Sequence, residues 1–214
     1  LPVYGAAVYD VSAKGAYADF KSRIEAGGNI AESTYRLSAE AQYRRRIWGN
    51  VRGTLRGFAG GIVSEGPAPW LLMYRAGGSG DPFGEHILMD RAGTSSWLGN
   101  QVVRDHGGLS SLLPNSFDRG MFALNASIRS PLKILSLFGN YAYGVGSDGI
   151  PNAGFYDVGF RLNFLNETLK INFPFAGTFF SGTPASSADF RQGINFSFEP
   201  LEILRGIGNG VLNF

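Results

Sequence analysis

Between Thr34 and Arg44 the residues alternate strictly, with Tyr35, Leu37, Ala39, Ala41 and Tyr43 on one side and Arg36, Ser38, Glu40, Gln42 and Arg44 on the other. Successive side chains of an extended chain point to opposite faces, so this stretch predicts a strand with one apolar and one wet side. The same period runs through Ala16, Ala18, Phe20 and Ile24 against Tyr17, Asp19, Lys21, Arg23 and Glu25. It recurs in Phe122, Leu124, Ala126 and Ile128 against Asn125, Ser127 and Arg129. The cleanest case sets Tyr156, Val158, Phe160, Leu162 and Phe164 against Asp157, Gly159, Arg161 and Asn163, and continues with Leu169, Ile171, Phe173 and Phe175 against Lys170 and Asn172. A last strand opposes Phe190, Ile194, Phe196 and Phe198 to Arg191, Asn195 and Ser197. The pattern predicts about nine strands and no helical domain: near 3–10, 15–26, 33–46, 50–63, 119–129, 133–145, 153–164, 167–175 and 188–198.

Such strands have the ~10-residue length of a tilted strand crossing a bilayer. Tight links are expected near Ser12–Lys14, Trp48–Gly49, Ser130–Leu132 and Leu165–Asn166, and longer ones near Gly27–Glu32, Val63–Asp118, Gly146–Asn152 and Ala176–Asp189. The two kinds alternate, as periplasmic turns and extracellular loops do in outer-membrane barrels. Counting back from a periplasmic C-terminus places the start of the first strand outside. A bacterial barrel has an even strand number with both termini inside, so upstream strands and an upstream domain are expected to complete it. The barrel portion is assigned to 1–198 and a periplasmic tail to 199–214.

A soluble sandwich or lipocalin-like barrel would also alternate, with its apolar face inward. Two features favour a membrane: charged residues gather on the polar face, and aromatic residues recur at strand ends. The latter are Tyr4, Tyr43, Trp48, Tyr141, Tyr143, Tyr156, Phe175 and Phe198, placed as an interfacial girdle would be. Composition agrees with strands, since Gly (31) and Phe (17) are frequent while charged residues make up only 17%.

Candidate chemistry is sparse. There is no Cys, which removes disulfides and thiolate metal sites, and the net charge of +2 gives no footprint for nucleic acid. Glu85-His86 lacks the second histidine of a His-Glu-x-x-His zinc motif, and His106 is the one other His. The run Gly77–Gly80 lacks the Gly-Lys-Ser/Thr of a phosphate loop. No catalytic, cofactor or metal residue is therefore expected in this chain. The rows of Arg23, Arg36, Arg44, Arg52, Arg56, Arg161 and Arg191 would give a basic interior, partnered by Asp19, Glu25, Glu40 and Asp157.

The link from Val63 to Asp118 is too long for a structureless hairpin connection and is expected to fold onto something. With five strands following it, it resembles the sixth extracellular loop of the BamA/FhaC-type superfamily of outer-membrane barrels. A closer resemblance is to the C-terminal barrel of Bacteroidota proteins whose preceding domain is an aminopeptidase-N-like (gluzincin) zinc metallopeptidase. It is carried by GDPFGEHILMDRAG around Asp81 to Arg91, by Gln101, and by Asp105-His106-Gly107-Gly108. FYDVGFRLNFLNETLKINFPF from Phe155 to Phe175 and PLEILRGIG from Pro200 complete it. The resemblance covers roughly Leu72 to Ile207.

This resemblance implies a loop folded into the lumen, with Arg91, and after it Arg104, pairing with inner-wall groups among Asp157, Glu40, Asp19 and Asn140. Arg161 joins this set of lock residues. Tyr156, Val158, Phe160, Leu162, Phe164, Leu169, Ile171 and Phe173 would face lipid. Arg91 is followed by Ala92-Gly93 where the BamA/FhaC-type barrels carry Gly and an aromatic residue, and Asn140 stands where they are expected to carry Asp. The implied role is an outer-membrane anchor for an upstream peptidase-like domain, with assembly or transport of protein as the alternative. The implied partners are membrane lipid, the upstream part of the same protein, and other outer-membrane subunits.

Overall fold

The computed structural model describes residues 4–29, 33–66, 68, 73–75, 102–103, 116–132, 134–164, 169–178 and 194–198. The protein is all-β, and no helix occurs among the described residues. The strands are β1 (Tyr4–Lys14), β2 (Ala18–Asn29), β3 (Thr34–Trp48), β4 (Val51–Ser64), β5 (Tyr74–Arg75) and β6 (Val102–Val103). They continue with β7 (Ser116–Phe117), β8 (Gly120–Arg129), β9 (Leu135–Val145), β10 (Ala153–Phe164), β11 (Leu169–Gly177) and β12 (Asn195–Phe198).

The eight long strands form one antiparallel sheet in the order β1-β2-β3-β4-β8-β9-β10-β11. Short β12 pairs antiparallel with β11, and β6, from inside the long 63–118 link, adds to β12 in parallel. The turn-rich links act as the alternation predicts. Gly49 adopts a positive φ of 52° in the two-residue turn between Trp48 and Val51, a conformation that costs glycine little. Pro174, which has no N–H to give a ladder, sits opposite Gly159 where the register of β10 and β11 shifts. A side chain on Gly159 would come within 2.7 Å of both Pro174 and the Phe138 ring, so the glycine makes the bulge possible.

Two links differ from the sequence expectation. Lys14 still pairs with Asp19, so the first turn lies at 15–17, closed by Gly15 N–H to the Ala18 carbonyl at 2.8 Å, rather than at Ser12–Lys14. Ala16 and Tyr17 thus belong to the turn. Likewise β2 runs on to Asn29, opposite Thr34, where a loop from Gly27 to Glu32 was expected. In both places the ladder keeps gaining hydrogen bonds past the point where side-chain alternation becomes ambiguous. Phe190, Arg191 and the 199–214 tail lie outside the described residues.

The two faces of the sheet are opposite in character. Asn29, Thr34, Ser38, Arg56, Ser136, Asn140, Asp157, Asn163, Lys170 and Asn172 are buried. Leu37, Leu55, Phe122, Leu124, Ile128, Leu137, Tyr141 and Tyr156 are exposed. A soluble sandwich or barrel reverses this arrangement, because apolar surface is what leaves water on folding.

A candidate polar lock on the buried face

Five strands each lend one side chain to a continuous line of hydrogen bonds. Arg56 on β4 donates from Nη2 to Glu40 Oε2 on β3 and from Nη1 to Asn125 Oδ1 on β8, both at 2.8 Å. Asn125 Nδ2 donates to Asn140 Oδ1 on β9 at 2.9 Å, and Asn140 Nδ2 donates to Asp157 Oδ1 on β10 at 2.6 Å. Register creates this line: Arg56, Asn125, Asn140 and Asp157 are successive cross-strand partners. Glu40 lies on the diagonal, opposite Phe58.

Chemistry then fixes which way each amide points. A guanidinium only donates and a carboxylate only accepts, so Asn125 must turn its oxygen to Arg56 and Asn140 its nitrogen to Asp157. The remaining Asn125 nitrogen and Asn140 oxygen meet each other. Burial gives the line its energetic weight: Asp157 is 1% exposed, and a carboxylate out of water needs hydrogen bonds to stay ionised. The Arg56 and Glu40 side chains, 8% and 22% exposed, form an ion pair largely out of water, where geometry and hydrogen bonding matter more than at the surface.

Nearer the long-loop end, the same face becomes apolar. Phe58, Ile62, Ala68, Tyr74, Phe117, Met121, Ala123, Ala142 and Phe155 form a buried cluster. Tyr74 and Phe117 come from the two ends of the 63–118 link and pair there as β5 and β7. The Tyr74 hydroxyl donates to the Leu37 carbonyl at 2.9 Å, and the Arg36 guanidinium stacks 4.3 Å from its ring centre. Burial raises the Tyr74 phenol above its ordinary pKa, which keeps it a neutral donor. Each ring sits over a glycine: a Cβ on Gly60 would lie 2.4 Å from Tyr74, and one on Gly144 would lie 2.2 Å from Phe117.

Asp118 ties this stem to the β9–β10 link. It accepts from the Ser147 N–H at 2.8 Å and from the Ser147 hydroxyl at 2.5 Å. Burial pushes its pKa up, but the Ser147 hydrogen bonds, its own backbone and the nearby Arg119 charge outweigh that and hold the carboxyl below its ordinary value.

Of the residues singled out from sequence, Glu40, Asn140 and Asp157 are brought into one line. Arg161 lies beside it, donating from Nε to Asn172 Oδ1 at 2.5 Å with its guanidinium 5.2 Å from the Phe138 ring centre. Asp19 lies on the same face, opposite Lys14 and Arg44 in register. Arg91, Arg104, His86 and His106 lie outside the described residues. Tyr156, Val158 and Phe164 are exposed, and Phe160, Leu162, Leu169, Ile171 and Phe173 are half-buried on that same apolar face, with Phe160 stacked on Phe173 at 4.7 Å.

The cation between Glu40 and the asparagines is Arg56, which the sequence places among the basic rows without singling it out as the hub. Tyr74 and Phe117 were not anticipated at all. Their available signal was negative: Gly60 and Gly144 interrupt strands where the polar-face position should carry a side chain. Among the described residues no group of three or more His, Asp or Glu could hold a metal ion. No family model, curated protein or solved structure matches this chain.

Proposed function

We propose that this chain is the membrane-embedded β-barrel portion of a bacterial outer-membrane protein. Its role is to anchor a peptidase-like domain of the same protein, and its lumen is occluded by the 63–118 link. The observation that carries this reading is the inverted burial: a row of buried Arg, Asn and Asp side chains behind a face of exposed Leu, Ile, Phe and Tyr. Hydrocarbon is the solvent in which such an outer face is stable and such an inner face needs partners.

The apolar cluster under Tyr74 and Phe117 favours an anchor over a conduit, because it fills the loop end of the polar face with rings rather than leaving a hydrated path. The peptidase-like partner domain rests on the resemblance of the 72–207 region alone. Heat-modifiable migration of the detergent-purified chain on gels tests the barrel reading. A folded band that shifts only after boiling is expected, and a chain that stays monomeric in detergent-free buffer would argue against it. Planar-bilayer recording tests occlusion, with large stable currents as the contrary result.

A further inference from the structure

We infer that the apolar face, at the loop end of β2, β3 and β4, binds one membrane phospholipid whose headgroup carries a phosphate and a primary ammonium. Its acyl chain lies in a groove there and its headgroup at the groove's mouth; the choice of a lipid as occupant rests on the membrane reading above. The groove, of about 400 Å³, is lined by Ala26 and Gly28 on β2, Tyr35 and Leu37 on β3, and Gly61 and Val63 on β4. Register builds it from two rows, Gly28–Tyr35–Val63 and Ala26–Leu37–Gly61. Tyr35, Leu37 and Val63 are its exposed walls. Gly61 is open floor, since a Cβ there would meet nothing nearer than the Arg119 carbonyl oxygen at 3.9 Å. Behind the wall, the Leu37 carbonyl is held by the Tyr74 hydroxyl.

The backbone decides what kind of chain can lie in this groove. Strand β3 pairs with β2 on one side and β4 on the other, so its N–H and C=O groups along the groove are already used in the ladders. An extended peptide laid there would bring its own N–H and C=O groups against apolar walls that offer them no partners. A hydrocarbon chain brings none, and gains by leaving water.

Charge complementarity then selects the headgroup. Beyond Val63, β4 ends at Ser64, and charges of both signs stand there. Among the described residues the exposed Arg119 guanidinium makes one hydrogen bond, a long one from Nη1 to the Ser64 carbonyl at 3.5 Å. Glu65, the residue after Ser64, is exposed as well, while Asp118 is engaged with Ser147. A guanidinium suits phosphate oxygens, and a carboxylate suits a donor ammonium. Phosphatidylethanolamine offers both charges. Phosphatidylglycerol lacks the cation, and the quaternary ammonium of phosphatidylcholine has no N–H to donate to Glu65.

Native mass spectrometry of the full chain tests this, in neutral detergent with equal amounts of phosphatidylethanolamine, phosphatidylcholine and phosphatidylglycerol bearing identical chains. Wild type should retain one phosphatidylethanolamine in preference to the other two. Gly61→Leu, which fills the groove, should weaken retention of all three at least about tenfold, since buried methylenes carry the affinity. Gly57→Leu, farther along β4 on the same face, should retain lipid as wild type does. Arg119→Gln should weaken retention of all three phosphates, and Glu65→Gln should erase the preference for phosphatidylethanolamine over phosphatidylcholine while leaving the groove intact.

The proposal is overturned if Gly61→Leu retains lipid as wild type does, or if wild type does not discriminate phosphatidylethanolamine from phosphatidylcholine. Discrimination that survives Glu65→Gln, or free laurate retained as well as phosphatidylethanolamine, would also overturn it. Heat-modifiable migration of the same samples keeps the two readings apart. A chain that shifts on boiling while every variant binds lipid alike loses this site and keeps the barrel. One that does not shift and stays monomeric in detergent-free buffer loses the barrel, and with it a lipid as the occupant.

Discussion

Asn140 donates to Asp157 across β9 and β10 at 2.6 Å, and that amide is the last link joining a buried carboxylate to the Arg56 guanidinium two strands beyond it. Asparagine suits the position because it accepts on one side and donates on the other. Asn140→Asp would set two carboxylates against each other, and Asn140→Leu would strip Asp157 of a donor. Each is expected to cost about 1–3 kcal/mol, read from urea unfolding in detergent.

Arg56 and Glu40 should behave as a unit. Arg56→Met removes the guanidinium from which Glu40 accepts and is expected to cost about 1–3 kcal/mol, while Arg56→Met with Glu40→Leu should recover part of that. A double-mutant cycle measures the coupling; additive losses would mean the ion pair contributes nothing specific.

Gly60 and Gly144 are required by the rings above them. Gly60→Val should evict Tyr74 from the polar face and Gly144→Val should evict Phe117, at about 1–3 kcal/mol each from overpacking. Faster proteolysis within 63–118 is the expected readout, and Gly57→Ala on the opposite face, with Leu124 at 3.8 Å, serves as the control.

Asp118 gives the loop stem a pH dependence. Its folded pKa lies below the ordinary aspartate value, so its contribution to stability is fully present above that ordinary value and is lost as pH falls through the folded pKa. Hydrogen exchange of the Ser147 amide, compared at pH 6 and near pH 3, should show loss of protection at the lower pH once corrected for intrinsic rate. Ser147→Ala should flatten that difference.

Much of this architecture is legible in the chain itself. The nine expected segments each overlap a strand, because a two-residue period survives wherever one face is oily and the other wet. Faces were legible for the same reason, down to Asp157 against Val158. Register was not. Nothing in the sequence says that Arg56 meets Asn125, since pairing across 69 residues depends on where the 63–118 link begins and ends. The strand ends at Lys14 and Asn29 were misread because backbone ladders continue through Gly-, Ala- and Ser-rich stretches that carry little side-chain signal. The ring-over-glycine contacts of Tyr74 and Phe117 needed three dimensions.

Absence of Cys allows the central claim to be measured directly, because a single introduced cysteine is the sole labelling site. Nitroxide labels at Leu137, on the apolar face, and at Ser127, on the polar face, can be compared in nanodiscs for collision with oxygen and with a water-soluble nickel chelate. The Leu137 label is expected to favour oxygen, as hydrocarbon dictates, and the Ser127 label to show a lower oxygen-to-nickel ratio. A Leu137 label that collides freely with the nickel chelate would contradict it.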